Sequence, residues 1–129
     1  MIVIDTSALV AMLLLEPEAD ICDTVFKREN TILISAGTVA EALIVARRNG
    51  IKKQMMELLA SPAITIVDVT PARARLAAEA YGLWGKNFHK ASLNFGDCFA
   101  YATAREFGCP LLYIGNDFAR TDIPSAIAP

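Results

Sequence analysis

The chain begins with MIVIDTSAL (residues 1–9), in which an apolar, β-branched run is followed at once by residues that favour the start of a helix. Residues 1–4 have the composition of a buried strand. Asp5, Thr6 and Ser7 each carry a side-chain oxygen that can accept a hydrogen bond from the first N–H groups of a helix. This segment therefore predicts a strand that leads directly into a helix.

The same alternation continues along the chain. Further apolar strands are predicted at residues 32–35, 64–67 and 111–114, and further helices at about 17–29, 36–48, 52–60, 71–84 and 97–108. Pro17 is expected at the first position of its helix, and Asp97 is expected to open the last one. Strands with no polar face are typical of a parallel sheet covered by helices on both sides. We therefore predict an α/β fold with a single domain over residues 1–129.

Apolar residues make up 54% of the chain and the mean hydropathy is +0.40, which is high for a domain of this size. A small domain has little interior in which to place so many apolar side chains. We therefore expect part of the apolar surface to be covered by another protein surface, and we predict a homodimer.

A membrane protein and a secreted protein are both disfavoured. The longest uninterrupted apolar run, residues 8–15, is well short of the roughly 18 residues that a membrane-spanning helix requires. No Lys or Arg precedes the first apolar run and Asp5 interrupts it, so the pattern of a secretory signal is missing. A cytoplasmic location is therefore predicted, without a membrane partner.

Neither a zinc site nor a strongly basic nucleic-acid-binding surface is indicated. The three cysteines, Cys22, Cys98 and Cys109, lie in apolar surroundings that suit small buried side chains, and His89 is the only histidine. Twelve basic and fourteen acidic residues give a net charge of −2, so any phosphate binding must be local.

Four acidic residues fall where a parallel sheet would bring them together. Asp5 and Asp117 follow the carboxyl ends of the first and last strands, and binding crevices of open parallel sheets lie outside such ends. Asp97 begins the helix that leads into the last strand. Glu41 lies in the helix after the second strand, on a face shared with apolar residues, so its carboxylate is expected to point into a crevice.

Several carboxylates in one crevice require a cation, because like charges disfavour each other's ionised forms. All the nearby donors are oxygens, including those of Thr6, Ser7 and Asn116, so Mg²⁺ or Mn²⁺ is the expected ion. Such a site is suited to phosphodiester hydrolysis, in which one or two metal ions activate water and stabilise the attacking and leaving oxygens.

Each residue also has a simpler interpretation when taken alone. Asp5 could be only an N-cap, and Asp97 only a favourable charge at a helix N-terminus. Glu41 could pair with Arg48, and Asp117 could initiate a turn. The basic loop of Lys86, His89 and Lys90 could contact phosphate or could simply be solvated. The hypothesis of a joint site therefore depends on the convergence of the acidic residues.

Taken together, the motifs resemble those of a known family. The segments are VIDTSAL (3–9), TVAE (38–41), LNFGDC (93–98), GNDF (115–118) and TDI (121–123). Their order and intervals are similar to those of the PIN-domain family, and specifically to the VapC toxins of bacterial toxin–antitoxin pairs. The resemblance spans nearly the whole chain, from Ile2 to about Ile123.

This resemblance implies a parallel sheet flanked by helices, homodimerisation, a Mg²⁺-dependent endoribonuclease activity and inhibition by a cognate antitoxin, a VapB-like protein that covers the active site. It implies that Asp5 and Asp97 are the primary metal ligands and that Glu41 and Asp117 complete the site, with Thr6 or Ser7 positioning a water molecule. Asp122 remains an alternative to Asp117. A second functional hypothesis is a catalytically inactive module of the same fold that binds RNA or protein.

Overall fold

A computed structural model describes residues 1–127; residues 128 and 129 of the predicted domain lie outside that range. The elements alternate as predicted. In chain order they are β1 (Ile2–Ile4), α1 (Thr6–Leu13), α2 (Ala19–Arg28), β2 (Ile32–Ser35), α3 (Ala36–Arg48), α4 (Lys52–Leu59), β3 (Ile64–Val67), α5 (Pro71–Trp84), α6 (Phe95–Phe107) and β4 (Leu111–Leu112), followed by a 3-10 turn at Phe118–Arg120. The strands form one parallel sheet in the order β3-β2-β1-β4.

The sheet separates two apolar cores. Along β1, Val3 points into a core with α5 and α6, whereas Ile2 and Ile4 point into a core with α1 to α4. Side chains of successive strand residues project to opposite faces, so a sheet covered on both sides needs apolar residues at every position. The α/β fold with helices on both faces is therefore confirmed.

The structure corrects three boundaries. Pro17 precedes α2, which begins at Ala19, and β4 is limited to Leu111–Leu112. Helix α6 begins at Phe95, two residues before the predicted start, because Asn94 caps it. Asp97 therefore lies inside the first turn of α6 and does not open the helix.

The three cysteines are buried and unpaired, as expected. Strand β3, at one edge of the sheet, is less well covered than the other strands, and Ile66 is 50% exposed. None of the helices in residues 1–127 has the length and apolar character needed to cross a membrane.

Candidate active site

An open cleft of about 280 Å³ lies at the carboxyl end of β1. Three of the four predicted acidic residues, Asp5, Glu41 and Asp97, contribute to its walls. They come from three different elements, namely the β1–α1 junction, α3 and α6. The remaining lining residues are Thr6, Ser7, Val10, Glu16, Val45 and Ile114. The parallel sheet therefore brings together acidic residues that are up to 92 positions apart, from 5 to 97.

The two carboxylate oxygens of Asp5 have different surroundings. Oδ2 accepts hydrogen bonds from the backbone N–H of Ser7 at 3.0 Å and from Ser7 Oγ at 2.7 Å, so it caps α1. Oδ1 is buried and has no hydrogen-bond partner among residues 1–127. Asp5 is only 3% exposed, so this unpaired oxygen is costly unless something else in the cleft binds it.

Asp97 is held by a reciprocal pair of hydrogen bonds at the start of α6. Its backbone N–H donates to Asn94 Oδ1 at 2.8 Å, and its Oδ2 accepts from the backbone N–H of Asn94 at 3.0 Å. This capping box fixes the side chain against its own helix. Asp97 is 8% exposed and its position in the cleft is therefore well defined.

Glu41 points towards the β1–α1 junction. Its Oε1 accepts a hydrogen bond from Thr6 Oγ1 at 2.7 Å. The ion pair between Glu41 and Arg48 that the sequence left open is not among the ion pairs of residues 1–127. Ser7 Oγ donates to Asp5 and also accepts from the backbone N–H of Ile114 at 3.0 Å, which joins the site to the end of β4. Both hydroxyl protons therefore serve carboxylates, so the positioning of water by Thr6 or Ser7 stays a prediction.

The cleft disfavours the ionised forms of Asp5 and Asp97. Burial raises the pKa of Asp5 to about 6, and the negative charge of Glu41 adds to this rise, while hydrogen bonds from Ser7 oppose it. Burial likewise raises the pKa of Asp97 to about 7, with further contributions from the charges of Asp5, Glu41 and Asp117. A cation in the cleft would lower the pKa values of Asp5 and Asp97, because it favours their ionised forms.

The residues present fit a hard divalent cation. The donors are oxygens, one of them is buried without a partner, and the carboxylates repel each other. Within residues 1–127, no three acidic, histidine or cysteine side chains are already close enough to enclose a metal ion on their own. Mg²⁺ commonly keeps several water molecules and uses only one or two carboxylates directly, so Asp5 and Asp97 would suffice.

Asp117 and Asp122 are in different environments. Asp117 is exposed, lies at the start of the 3-10 turn and contributes its charge to the raised pKa of Asp97. Asp122 accepts a hydrogen bond from Tyr101 Oη and lies 3.8 Å from Arg105. Neither residue lines the cleft, but only Asp117 acts electrostatically on Asp97.

The basic loop lies outside the acidic cleft. Lys86 and Lys90 are exposed, and Lys86 lies beside Asn94 and Phe95 at the start of α6. His89 is half buried, and its Nδ1 accepts from the backbone N–H of Ala91 at 2.9 Å. Its ring also packs edge-on against Trp84, with 4.7 Å between the centroids. His89 therefore organises the loop, and the two lysines remain available to a ligand.

Among the residues at the cleft that were not predicted from the sequence, two bear on its carboxylates or charge. Glu16 lines the cleft from the loop after α1, although nothing in its spacing distinguishes it from other exposed acidic residues. Gly96 contacts the Glu41 carboxylate, and its position directly before Asp97 is the only sequence signal that could have indicated this.

Comparisons with known proteins give a consistent result. A family model described as the PIN domain matches residues 2–124. Ribonuclease VapC30 of Mycobacterium tuberculosis is 40% identical over 98% of this chain and 99% of its own length. Ribonuclease VapC of Mycolicibacterium smegmatis is 38% identical over 94% of this chain and 96% of its own length.

Solved structures share the fold at lower sequence identity. VapC20 of Mycobacterium tuberculosis, described as a toxin that cleaves the sarcin–ricin loop, matches 95% of this chain and 96% of its own with a TM-score of 0.79 and 16% identity. A chain of a toxin–antitoxin complex from Klebsiella pneumoniae matches 95% of this chain and 93% of its own with a TM-score of 0.71 and 18% identity.

Proposed function

This chain belongs to the PIN-domain family, and from that premise we propose that it is the ribonuclease toxin of a toxin–antitoxin pair, which hydrolyses RNA phosphodiester bonds with Mg²⁺ in the acidic cleft. The observation that carries the proposal is the buried Oδ1 of Asp5, which has no partner in the described part of the chain and lies beside carboxylates that repel each other. A site of this kind is stable in its ionised form only with a cation.

Each acidic residue has a distinct role in this proposal. Asp5 and Asp97, which are fixed by hydrogen bonds to their own helix termini, hold the ion directly. Glu41, fixed by Thr6, and the more exposed Asp117 complete the acidic quartet directly or through water. When bound, Mg²⁺ supplies an activated water nucleophile and stabilises the charge that develops on the phosphate oxygens. The open cleft leaves the phosphodiester accessible to these residues.

The RNA backbone is proposed to reach the cleft past the basic loop. Lys86 and Lys90 would contact phosphates, because both side chains are exposed in the loop that leads into α6 and Lys86 lies beside the start of that helix. His89 was predicted with them, and we propose that it contributes mainly by holding the loop against Trp84. The net charge of −2 makes a local contact of this kind necessary.

The partners proposed for this chain are an antitoxin and a second copy of itself. A relative in the solved structures is described as part of a toxin–antitoxin complex. Helices α5 and α6 also border an apolar groove of about 640 Å³, lined in part by Val69, Tyr81, Phe95 and Phe99. An apolar surface of this kind indicates a protein partner.

Cleavage of a labelled RNA by the purified protein tests the proposed function. Cleavage is expected with Mg²⁺, is expected to stop with EDTA and to return when Mg²⁺ is added in excess. The Asp97→Asn variant, purified in parallel, should be inactive and controls for contaminating nucleases. RNA binding without cleavage under all these conditions would instead support the inactive binding module.

A further inference from the structure

Helices α3 and α6 are in contact, and each has a glycine at the contact. A Cβ atom on Gly96 of α6 would lie 2.0 Å from Glu41 Oε2 and 2.6 Å from Glu41 Cδ. A Cβ atom on Gly37 of α3 would lie 2.6 Å from Cγ of Phe99. Each glycine therefore makes room for a side chain of the opposite helix.

Backbone conformation does not explain either glycine. The glycines with positive φ are Gly50, Gly108 and Gly115, so Gly37 and Gly96 have backbone angles that other residues adopt. Glycine within a helix costs up to about 1 kcal/mol relative to alanine. The space that a missing side chain leaves is the remaining physical reason for glycine at these two positions.

We propose that Gly96 is a positioning residue, whose missing side chain allows the Glu41 carboxylate to lie against the first turn of α6 beside Asp97. The hydroxyl of Thr6 holds the carboxylate through Oε1 at 2.7 Å, and the missing side chain of Gly96 leaves room for Oε2. The part of this inference that concerns the metal rests on the proposed function.

The two glycines differ in what a methyl group would displace. At Gly37 the obstacle is the ring of Phe99, which packs against the core and with Phe95, so substitution there should disturb the packing of α3 on α6. At Gly96 the obstacle is the end of a flexible, half-buried side chain. A methyl group there can be accommodated if Glu41 swings away. The fold should therefore survive Gly96→Ala, while the carboxylate is lost from its position.

The test compares Gly96→Ala with Gly82→Ala. Gly82 is also in a helix, α5, and a Cβ atom there would meet nothing within 4 Å. Both variants should fold. Titration with Mg²⁺, followed by calorimetry and by the thermal melting temperature, should show parental affinity for Gly82→Ala. For Gly96→Ala we expect the affinity to fall by about 10-fold or more, as is typical when a residue that orients a ligand is changed. Parental affinity in Gly96→Ala would overturn the proposal.

A double-mutant cycle with Glu41→Ala separates this inference from the proposed function, because it needs no metal. In the Glu41→Ala background, Gly96→Ala should leave the melting temperature in EDTA unchanged or raise it, because the obstacle is gone. In the parent background, Gly96→Ala should lower it, because Glu41 must leave its position. Additive effects in EDTA would refute the proposed contact. A coupled cycle without any Mg²⁺ binding by the parent would support the contact and reject the metal function.

Discussion

At the scale of single residues, the two carboxylate oxygens of Asp5 have different surroundings. Oδ2 caps α1 through Ser7, and Oδ1 is buried and unpaired. The cap alone would be satisfied by either Asp or Asn. Capping of α1 therefore does not explain Oδ1. A substitution that changes Oδ1 and keeps the cap tests most directly whether Asp5 has a second role.

We expect Asp5→Asn to abolish cleavage without destabilising the metal-free protein. The amide oxygen can still accept from Ser7, and one negative charge is removed from a repelling cluster, so the free energy of unfolding in EDTA should hold or rise. Loss of a metal ligand removes several kcal/mol of transition-state stabilisation, which lowers the rate by about 100-fold or more. Mg²⁺ should also raise the melting temperature less than in the parent. Parental cleavage by the variant would show that Asp5 is only a cap.

The raised pKa values predict how the stability of the metal-free protein depends on pH. The folded-state pKa of Asp5 is about 6 and its ordinary value is 3.8, so between these pH values the folded state binds more protons than the unfolded state. The free energy of unfolding contributed by this group therefore decreases as pH rises through that window, by on the order of 2 kcal/mol. Denaturant unfolding in EDTA should show Asp5→Asn gaining on the parent from pH 4 to pH 7. A difference that does not change with pH would contradict this.

Asp117 and Asp122 are expected to differ in their effects on cleavage. The negative charge of Asp117 raises the pKa of Asp97. Asp122 accepts a hydrogen bond from Tyr101, and the amide oxygen of Asn could accept the same bond. Asp117→Asn should lower the cleavage rate by about 10-fold or more, as for a residue that supports a metal site. Asp122→Asn should leave the rate nearly parental. The reverse result in an RNA cleavage assay would identify Asp122 as the fourth acid.

At the scale of elements, regular patterns were predicted well and irregular junctions were not. The bounds of β2, α3 and β3 match the apolar and helical periodicities of their segments. The start of α6 was missed because Phe95 and Gly96 resemble loop residues, and only the hydrogen bonds between Asn94 and Asp97 show that the helix has begun. Strand β4 is shorter than its apolar run because only Leu111 and Leu112 pair with β1. The periodicity of apolar residues indicates which positions are buried. The residues at which a helix or strand begins and ends depend on individual hydrogen bonds, which periodicity does not show.

The loop between α5 and α6 is expected to bind the RNA backbone. Lys86→Glu with Lys90→Glu should weaken RNA binding and make its dependence on salt concentration less steep, because fewer counterions are released. The melting temperature shift produced by Mg²⁺ should be unchanged. Lys52→Glu with Lys53→Glu is the matched control, since these exposed lysines lie on α4, which lines neither the acidic cleft nor the groove beside Lys86. If both pairs alter binding and salt dependence equally, the effect is one of net charge and the loop is not the contact.

At the scale of the whole molecule, the position of the acidic cleft could be predicted from the sequence because parallel topology places strand ends at one edge. That rule applied to Asp5, and helices that pack on the same edge supplied Glu41 and Asp97. The closeness of α3 and α6 could not be predicted, because it depends on the space at Gly37 and Gly96. The sequence also predicted that a partner covers part of the apolar surface, but it did not indicate where on the molecule that surface lies.

The structure suggests where part of that surface lies. On α5, Leu76 is 39% exposed and Leu83 is 64% exposed, and because they are seven residues apart they lie on one face of the helix. Both border a shallow depression of about 380 Å³, which is also lined by the charged residues Glu79, Arg105, Glu106 and Asp122. A second copy could cover it, because the same face from each protomer would pack against the other around a two-fold axis.

We therefore predict a homodimer that depends on the exposed face of α5. Light scattering at micromolar concentration should give twice the mass of the 13.9 kDa chain, and the dimer should persist in high salt because apolar burial is not screened. Leu83→Asp should dissociate it, since an unpaired charge would be buried at the interface.

Ile21→Asp is the control, because Ile21 is 44% exposed but lies on α2, which packs against the opposite face of the sheet. A parent that is monomeric under these conditions would rule out the dimer, and dissociation by Ile21→Asp alone would place it on the other side of the molecule.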